Sequence, residues 1–389
     1  MKLSFFCNYL NLHQIQVADE LYHHLGEDFH FISTLPKTNS QLKGGIDYST
    51  RPFCLLAGES EQAYKKAIML TLKSDVCIFA ANSQKFAVLR AKFCPEKLSF
   101  ELGERWLKHG TLTFVSPVFR NWLYNYFKYY RKANFFKLCC SSFTASDDEK
   151  LWAYRNKHYK WAYFTKVNEN FDIISSSINR SLSGKINIMW CGRFLKLKHP
   201  DLPIRMARLL KDKGYQFHIS IYGDEKNASK YYRIYPRKEL EALIAKLNVQ
   251  DCVSLKGTLP NDLLLEEMKN NSIFLFTSDR REGWGAVANE SMSNGCVLVA
   301  SDAIGSSSYL IKDGENGFIF HNCSLESLTE KVEWLLNHPL EMKQMQINAY
   351  QSIKDIWNPK HAVNNLLELI KNLQKGIDTS ITNGPCSKS

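Results

Sequence analysis

Short apolar runs, each followed by a segment with helical spacing, occur in two series along this 389-residue chain. They restrict its fold more than any other feature. "KLSFFC" (2–7) reads as a strand, and from Val17 the residues Ala18, Leu21, Tyr22 and Leu25 recur at helical spacing until Gly26, a helix stop. "FHFIS" (29–33), "VCIFAA" (76–81) and "KLSFEL" (97–102) are further strands, with "ESEQAYKKAIMLTLK" (59–73) a helix among them. Such alternation predicts a parallel sheet covered by helices.

The pattern lapses near "TKVNENFDIISSSINRSLSG" (165–184), whose Ser and Asn content reads as a linker, and then resumes. Strands are expected at 185–194, 217–224, 252–259, 272–278, 296–302 and 317–322, with helical segments between the first five. The fold class is therefore α/β, with two Rossmann-like units in series. The expected boundaries are a first domain at 1–170, a linker at 171–184, and a second domain at 185–355. A terminal helix at 356–375 is expected to pack back on the first domain, and 376–389 to form a disordered tail.

A hydrophobic fraction of 44% over this length supports two cores. No stretch approaches the roughly 18 consecutive apolar residues of a membrane span, and the first residues turn polar too soon for a secretory signal, so a cytoplasmic chain is expected. Its eleven cysteines are scattered without CxxC pairs and read as reduced, buried thiols rather than a zinc site or a disulfide framework. The net charge of +11 is uneven: residues 1–180 hold 24 Lys and Arg against 16 Asp and Glu. The first half thus favours anionic partners.

In an open parallel sheet, ligands bind beyond the carboxyl ends of the strands. "REGWGAVANESMSNG" (281–295) lies at such an end, between a strand and the helix that Gly295 stops. Gly283 and Gly285 let the backbone approach a ligand, and the amides near Ala286 and Val287, next to Trp284, suit phosphate oxygens. Glu282 and Glu290 stand at either end of this cradle, where each carboxylate can accept hydrogen bonds from a polyol. Spacing alone leaves the alternative that Glu282 is a solvated loop acid and Glu290 a first-turn charge. "CGRFLKLKHPDL" ends the domain's first strand and offers Gly192, Arg193 and Lys198 to a diphosphate. "YGDE", with Gly223 and Asp224, ends the second strand, and "LKGTLP", with Gly257, ends the third.

These motifs, together with "DGENGFIF", resemble the nucleotide-binding domain of retaining glycosyltransferases of GT-B architecture, in the large family four. The resemblance covers residues 185–322, and "NYLNLHQ", "ERWLKHG" and "KHYKWAYF" in the first half are similar to bacterial members that build surface polysaccharides. It implies two Rossmann-like parallel-sheet domains facing across a cleft, the first binding the acceptor and the second a nucleotide sugar. Arg193 and Lys198 would bind the donor diphosphate, Glu282 the transferred sugar, the amides of Gly283 to Val287 the phosphates, and Glu290 the ribose. The implied reaction transfers a sugar to a hydroxyl with retention. The expected donor is a UDP-sugar ahead of a GDP-sugar, and the acceptor a glycan or lipid-linked glycan. No cofactor or metal is expected, since the two cations can replace a metal's charge. The loop "AIGSSSYLI" departs from the family's paired glycines and Pro-Glu.

The family often places a histidine at an N-domain strand end, where this chain reads "LSFELGERW". Glu101 and Glu104 are the candidates there, with Glu104 preferred for positioning the acceptor or stabilising charge at the anomeric carbon. An ion pair with a neighbour such as Arg105 is the structural alternative. His13, after the first strand, is a further acceptor-side candidate, or a solvent-facing histidine. "VFRNWLYNYFKYYRKANFFK" (118–137) carries Phe119, Trp122, Leu123, Tyr126, Phe127 and Tyr130 on one helical stripe, and no acid occurs from Arg105 to Ser146. That predicts either a core helix or a helix lying on an anionic membrane. No nucleic-acid motif accompanies it. Two rival functions remain at this stage: a nucleotide-sugar epimerase of the same architecture, and a non-catalytic nucleotide-sugar or membrane-binding protein.

Overall fold

The structure is a computed structural model that describes residues 1–36, 47–181, 184–225 and 232–389. The chain divides into two compact units, Met1–Lys166 with Ile356–Ser389, and Val167–Asp355. Among the described residues the first unit holds a seven-stranded sheet of β1 (Leu3–Cys7), β2 (Phe29–Ser33), β3 (Cys54–Leu56), β4 (Val76–Phe79), β5 (Ser99–Gly103), β6 (Phe135–Cys139) and β7 (His158–Lys160). The spatial order is β3-β2-β1-β4-β5-β6-β7, with every pair parallel. The apolar run Leu3–Cys7 is buried along its whole length because β1 has strands on both sides and helices on both faces, with Leu3 opposite Phe29 and Val76.

The second unit repeats the plan with six strands: β8 (Ile186–Cys191), β9 (Phe217–Tyr222), β10 (Val253–Gly257), β11 (Ile273–Phe276), β12 (Val297–Ser301) and β13 (Gly317–Phe320). Their order is β10-β9-β8-β11-β12-β13, again all parallel. In each sheet the winding direction reverses once, between β1 and β4 and between β8 and β11. Loops on either side of such a reversal diverge and leave a crevice at the carboxyl edge. Both units are Rossmann-like, as the alternation predicts. No helix among the described residues is long and apolar enough to cross a membrane.

Three expectations need correction. The expected linker at 171–184 contains a helix, Ile173–Ser181, and its residues 182–183 lie outside the described residues. Ile173, Ser177 and Arg180 recur at helical spacing and are buried. The Arg180 guanidinium donates to the carbonyls of Lys269, Asn294 and Gly295, satisfying carbonyl groups near the ends of two neighbouring helices. Polar composition concealed that face.

Residues 376–389 are not a disordered tail. Lys160 donates its backbone N–H to Ser387, and Cys386 donates back to Lys160, both at 2.8 Å, so the terminus covers the edge of β7 with Cys386 fully buried. The preceding helix, Pro359–Gln374, belongs to the first unit and packs on the helix Ile15–Leu25.

Residues 118–137 are not one helix. The helix runs from Pro117 to Lys128, a 3-10 turn follows at Tyr130–Lys132, and β6 begins at Phe135. Phe119, Trp122 and Tyr126 enter the core, while Phe127 is exposed. The strand was hidden because its central residue, Lys137, is charged and yet buried against Glu101.

Candidate functional site

The loops after β8 and β11 bring together residues distant in sequence. Lys198, beyond β8, places Nζ 2.6 Å from a carboxylate oxygen of Glu282, beyond β11. The two side chains are 15% and 16% exposed, so the pair is partly shielded yet open at one side. Ser278 donates to the same Glu282 oxygen at 3.0 Å. Beneath them the Trp190 indole donates to the Thr277 hydroxyl, which donates in turn to the backbone carbonyl of Lys198. A buried chain of hydrogen bonds therefore fixes the lysine loop to the end of β11. Sequence reasoning passed over Thr277 and Ser278. Their place at a strand end beside the sheet's reversal was the signal available.

Arg193 is exposed and makes no ion pair with a described residue. Asp279, next along the loop, is held by Arg281 and lies 3.7 Å from His199. Burial would raise its carboxyl, but those hydrogen bonds overcome the effect and hold it well below the usual carboxylate range.

Glu290 lies inside the helix Val287–Ser293 and is 8% exposed. Burial pushes its carboxyl up to about 7, because little water remains to solvate the charge. It stands in the first turn of the helix, as the alternative reading had it, but buried. The backbone amides of Gly283, Gly285, Ala286 and Val287 have no backbone acceptor among the described residues, which leaves donors available before the helix. Trp284 does not face that space. Its ring is fully buried, the indole donates to Asn289, and its carbonyl accepts from Ser306.

The glycines divide by role. A Cβ on Gly223 (φ +143°) would overlap the carbonyl of Gly192, and Gly223 donates its N–H to Gly257 at 2.7 Å while Gly192 donates to Tyr222. Gly285 (φ +77°) has the Phe276 ring in the place of a side chain. Both are demanded by packing within the protein. Gly257 (φ +78°) faces open space. Asp224 is half-buried and its carbonyl accepts from Phe194.

The first unit has its own hollow at the matching edge. A pocket of about 500 Å³ is lined by Cys7 and Gln14, by residues 80–84 after β4, and by residues 101–106 at the end of β5 and just beyond it. Glu104 faces it, paired with Lys108 rather than Arg105, and accepts from the Tyr163 hydroxyl at 3.0 Å. Arg105 instead forms a two-pronged pair with Asp147. The His13 ring packs on Tyr163 with centroids 5.6 Å apart. His13 is held below its ordinary value by the surrounding protein, an effect that Glu104 opposes. His13 and Glu104 are thus neighbours through Tyr163.

Glu101 is different. Its carboxylate accepts from Lys137, from the Trp122 indole and from the Tyr154 hydroxyl at 2.6 to 3.0 Å, so its hydrogen-bonding capacity is largely spent inside the fold. Burial alone would lower the Lys137 ammonium, but the Glu101 and Asp148 carboxylates hold it above its ordinary value. Among the described residues, no group of three or more His, Cys, Asp or Glu side chains is arranged to hold a metal ion.

Residues 174–352 match the family model described as glycosyl transferases group 1. A curated relative, the poly(ribitol-phosphate) alpha-N-acetylglucosaminyltransferase of Staphylococcus aureus (strain COL), is 27% identical over 184 residues. That match covers 46% of this chain, which spans only 34% of the relative's length. Among solved structures, Anabaena HepE in complex with UDP aligns with a TM-score of 0.68 and 15% identity over 97% of this chain and 100% of its own. Sucrose-phosphate synthase from Thermosynechococcus elongatus aligns with a TM-score of 0.69 and 12% identity, over 97% and 100% of the two chains. The two-sheet fold is that of these GT-B neighbours, and the group 1 match lies within the second unit.

Proposed function

We propose that the chain is a retaining glycosyltransferase that moves a sugar from a UDP-sugar to a hydroxyl of a glycan or lipid-linked glycan in bacterial surface-polysaccharide synthesis. The observation that carries the reading is the Lys198–Glu282 pair at the reversal point of the second sheet. Lys198 and the exposed Arg193 offer charge to a diphosphate, and the amides of Gly283 and Gly285 to Val287 offer donors to its oxygens. Glu282 then accepts hydrogen bonds from the transferred sugar, and Glu290 from the ribose. Gly257 leaves room at the end of β10 for the base. HepE's complex with UDP supports the choice of donor class.

In the proposed step, the bond between the anomeric carbon and the diphosphate oxygen breaks as the acceptor oxygen bonds to that carbon on the same face. The acceptor's proton passes to the departing phosphate. The protein positions both substrates and stabilises the charge growing on the leaving group. Glu104, with His13 and Tyr163 beside it, is the proposed acceptor-side group in the first unit. Lys198 and Arg193 supply the positive charge, so turnover is proposed to persist in EDTA. We place the reaction at the cytoplasmic face of the membrane, with outward residues such as Tyr124 and Lys128 meeting anionic lipid.

The test is transfer from a panel of nucleotide sugars to a hydroxyl acceptor, with the product's anomeric configuration read by NMR. Retained configuration from a UDP-sugar, abolished in Glu282→Gln with the fold intact, is expected. Donor turnover that proceeds without acceptor would instead mark an epimerase, and undiminished turnover in Glu282→Gln would refute the site.

A further inference from the structure

The opposite edge of the first sheet carries a second recess that the reaction does not use. A pocket of about 450 Å³ opens at the amino ends of β6 and β7, lined by Tyr126, Phe127, Arg131, Trp152, Arg155 and Lys157 among others. Three of these are cations and none is an acid. No ion pair joins Arg131, Arg155 or Lys157 to a described carboxylate. Each instead lies over an aromatic ring: Arg131 over Phe127, Arg155 over Trp152 at 4.5 Å, and Lys157 over Phe136. Lys157 is held below its ordinary value by burial. Cations lining one recess with no acid among them leave it positive, which favours an anion there.

The loop that builds the recess has an unusual backbone. Trp152 (φ +60°), Tyr154 (φ +50°) and Asn156 (φ +60°) all adopt left-handed conformations, which side chains with a Cβ rarely do. The fold holds them there: the Tyr154 N–H donates to the Tyr126 hydroxyl at 2.7 Å, and Ala153 and Tyr154 are fully buried. The consequence is that Trp152, between buried neighbours, is turned outward and left 66% exposed beside Arg155. A strained segment that exposes an indole beside a guanidinium, at a recess that two further cations line, suits a binding surface more than a packed core.

We infer that this recess binds a phosphoryl group carried on an organic anion, the phosphate meeting Arg131, Arg155 and Lys157 and the organic part lying against Trp152. The site is separate from the proposed donor site and stands whether or not that reading holds. Soluble phosphate esters and anionic phospholipid headgroups share this chemistry, and the experiment distinguishes them.

Calorimetric titration with phenyl phosphate, and separately with inorganic phosphate, is compared for the wild type, Arg155→Ala/Lys157→Ala and Trp152→Ala. Sedimentation with phosphatidylglycerol and phosphatidylcholine vesicles forms the second arm. The double variant is expected to weaken binding at least tenfold in the arm that reports the natural source. Trp152→Ala is expected to weaken phenyl phosphate more than inorganic phosphate. Loss in the titration points to a soluble ester, and loss only with phosphatidylglycerol vesicles points to a headgroup. Equal behaviour of the wild type and the double variant in both arms, with melting temperatures unchanged, overturns the inference.

Discussion

Lys198 and Glu282 lie 84 positions apart in sequence and 2.6 Å apart in space, joined where the loops of β8 and β11 meet at the reversal of the second sheet. Without donor, each is the other's partner. A diphosphate must therefore share the lysine with the carboxylate or displace it. Glu282→Gln removes the competing charge while leaving the lysine and its loop in place. It is expected to lower transfer by about 100-fold or more and to leave UDP affinity unchanged or a few-fold tighter. Lys198→Ala is expected to weaken both. Titration calorimetry with UDP beside a transfer assay checks the contrast, and parallel loss of UDP binding in both variants would contradict it.

Glu290 sets a pH dependence whose sign is fixed by its burial. Its carboxyl titrates at about 7 in the folded chain against 4.5 as an ordinary group. Between those values the unfolded chain has released the proton that the folded chain keeps. Stability therefore falls as pH rises through this window, by up to about 3 kcal/mol, and the loss is complete above the folded value. Glu290→Gln removes this term. The stability difference between Glu290→Gln and wild type is expected to grow in the variant's favour from pH 5 to pH 8. Urea denaturation of both proteins at the two pH values measures it. Ribose hydroxyls donating to the carboxylate would favour its charged form, so UDP binding near pH 6 is expected to release protons, seen as a buffer-dependent binding heat.

Three rim glycines that look alike in sequence are expected to separate on substitution by alanine. Gly223 and Gly285 meet both a positive φ and atoms already in the side chain's place, whereas Gly257 meets only the φ. The backbone term is about 1–2 kcal/mol, and overpacking adds about 1–3 kcal/mol. Gly223→Ala and Gly285→Ala should therefore destabilise the chain by about 2–5 kcal/mol, and Gly257→Ala by about 1–2 kcal/mol. Thermal melts rank them. A Gly257 variant as unstable as the other two would mean that the end of β10 is more crowded than its geometry indicates.

These contrasts also show where the sequence was readable. Strands such as β4 and β12 are visible because a strand buried on both faces is a continuous apolar run, "VCIFAA" or "CVLVAS", bounded by polar turns. The rim followed from topology, since Glu282 and Lys198 had to lie at carboxyl ends once the strands were placed. What hid was set by tertiary partners. β6 hides at the end of a helical stripe because Lys137 reads as surface until Glu101 and Trp122 are seen around it. β3 and β7 are three residues each, too short for any period to register. Trp284 and Glu101 sit inside motifs that resemble ligand contacts, yet their polar atoms are committed to Asn289 and to Trp122, Lys137 and Tyr154. A motif fixes where a residue lies along a strand end, and only packing decides which way it faces.

The chain's last residues give a prediction that composition would not suggest. "GIDTSITNGPCSKS" is polar and rich in turn formers, yet it lays Cys386 and Ser387 along the outer edge of β7. The Tyr159 hydroxyl donates to Asp378, Asn365 donates to the carbonyl of Pro385, and Lys388 pairs with Asp378. An edge strand left open exposes a row of unpaired N–H and C=O groups, a template for pairing with another chain. Removing residues 377–389 uncovers that edge and the cavity filled by Cys386. The truncated chain is expected to lose about 3 kcal/mol, the scale of removing several buried contacts, and its first unit to melt about 6–12 °C lower. It should also form concentration-dependent aggregates that the full chain does not. The second unit supplies the internal control, because its own transition is expected to be unchanged by the truncation. Scanning calorimetry and light scattering on the two proteins test this, and an unchanged first transition would show that the tail rests on β7 without supporting it.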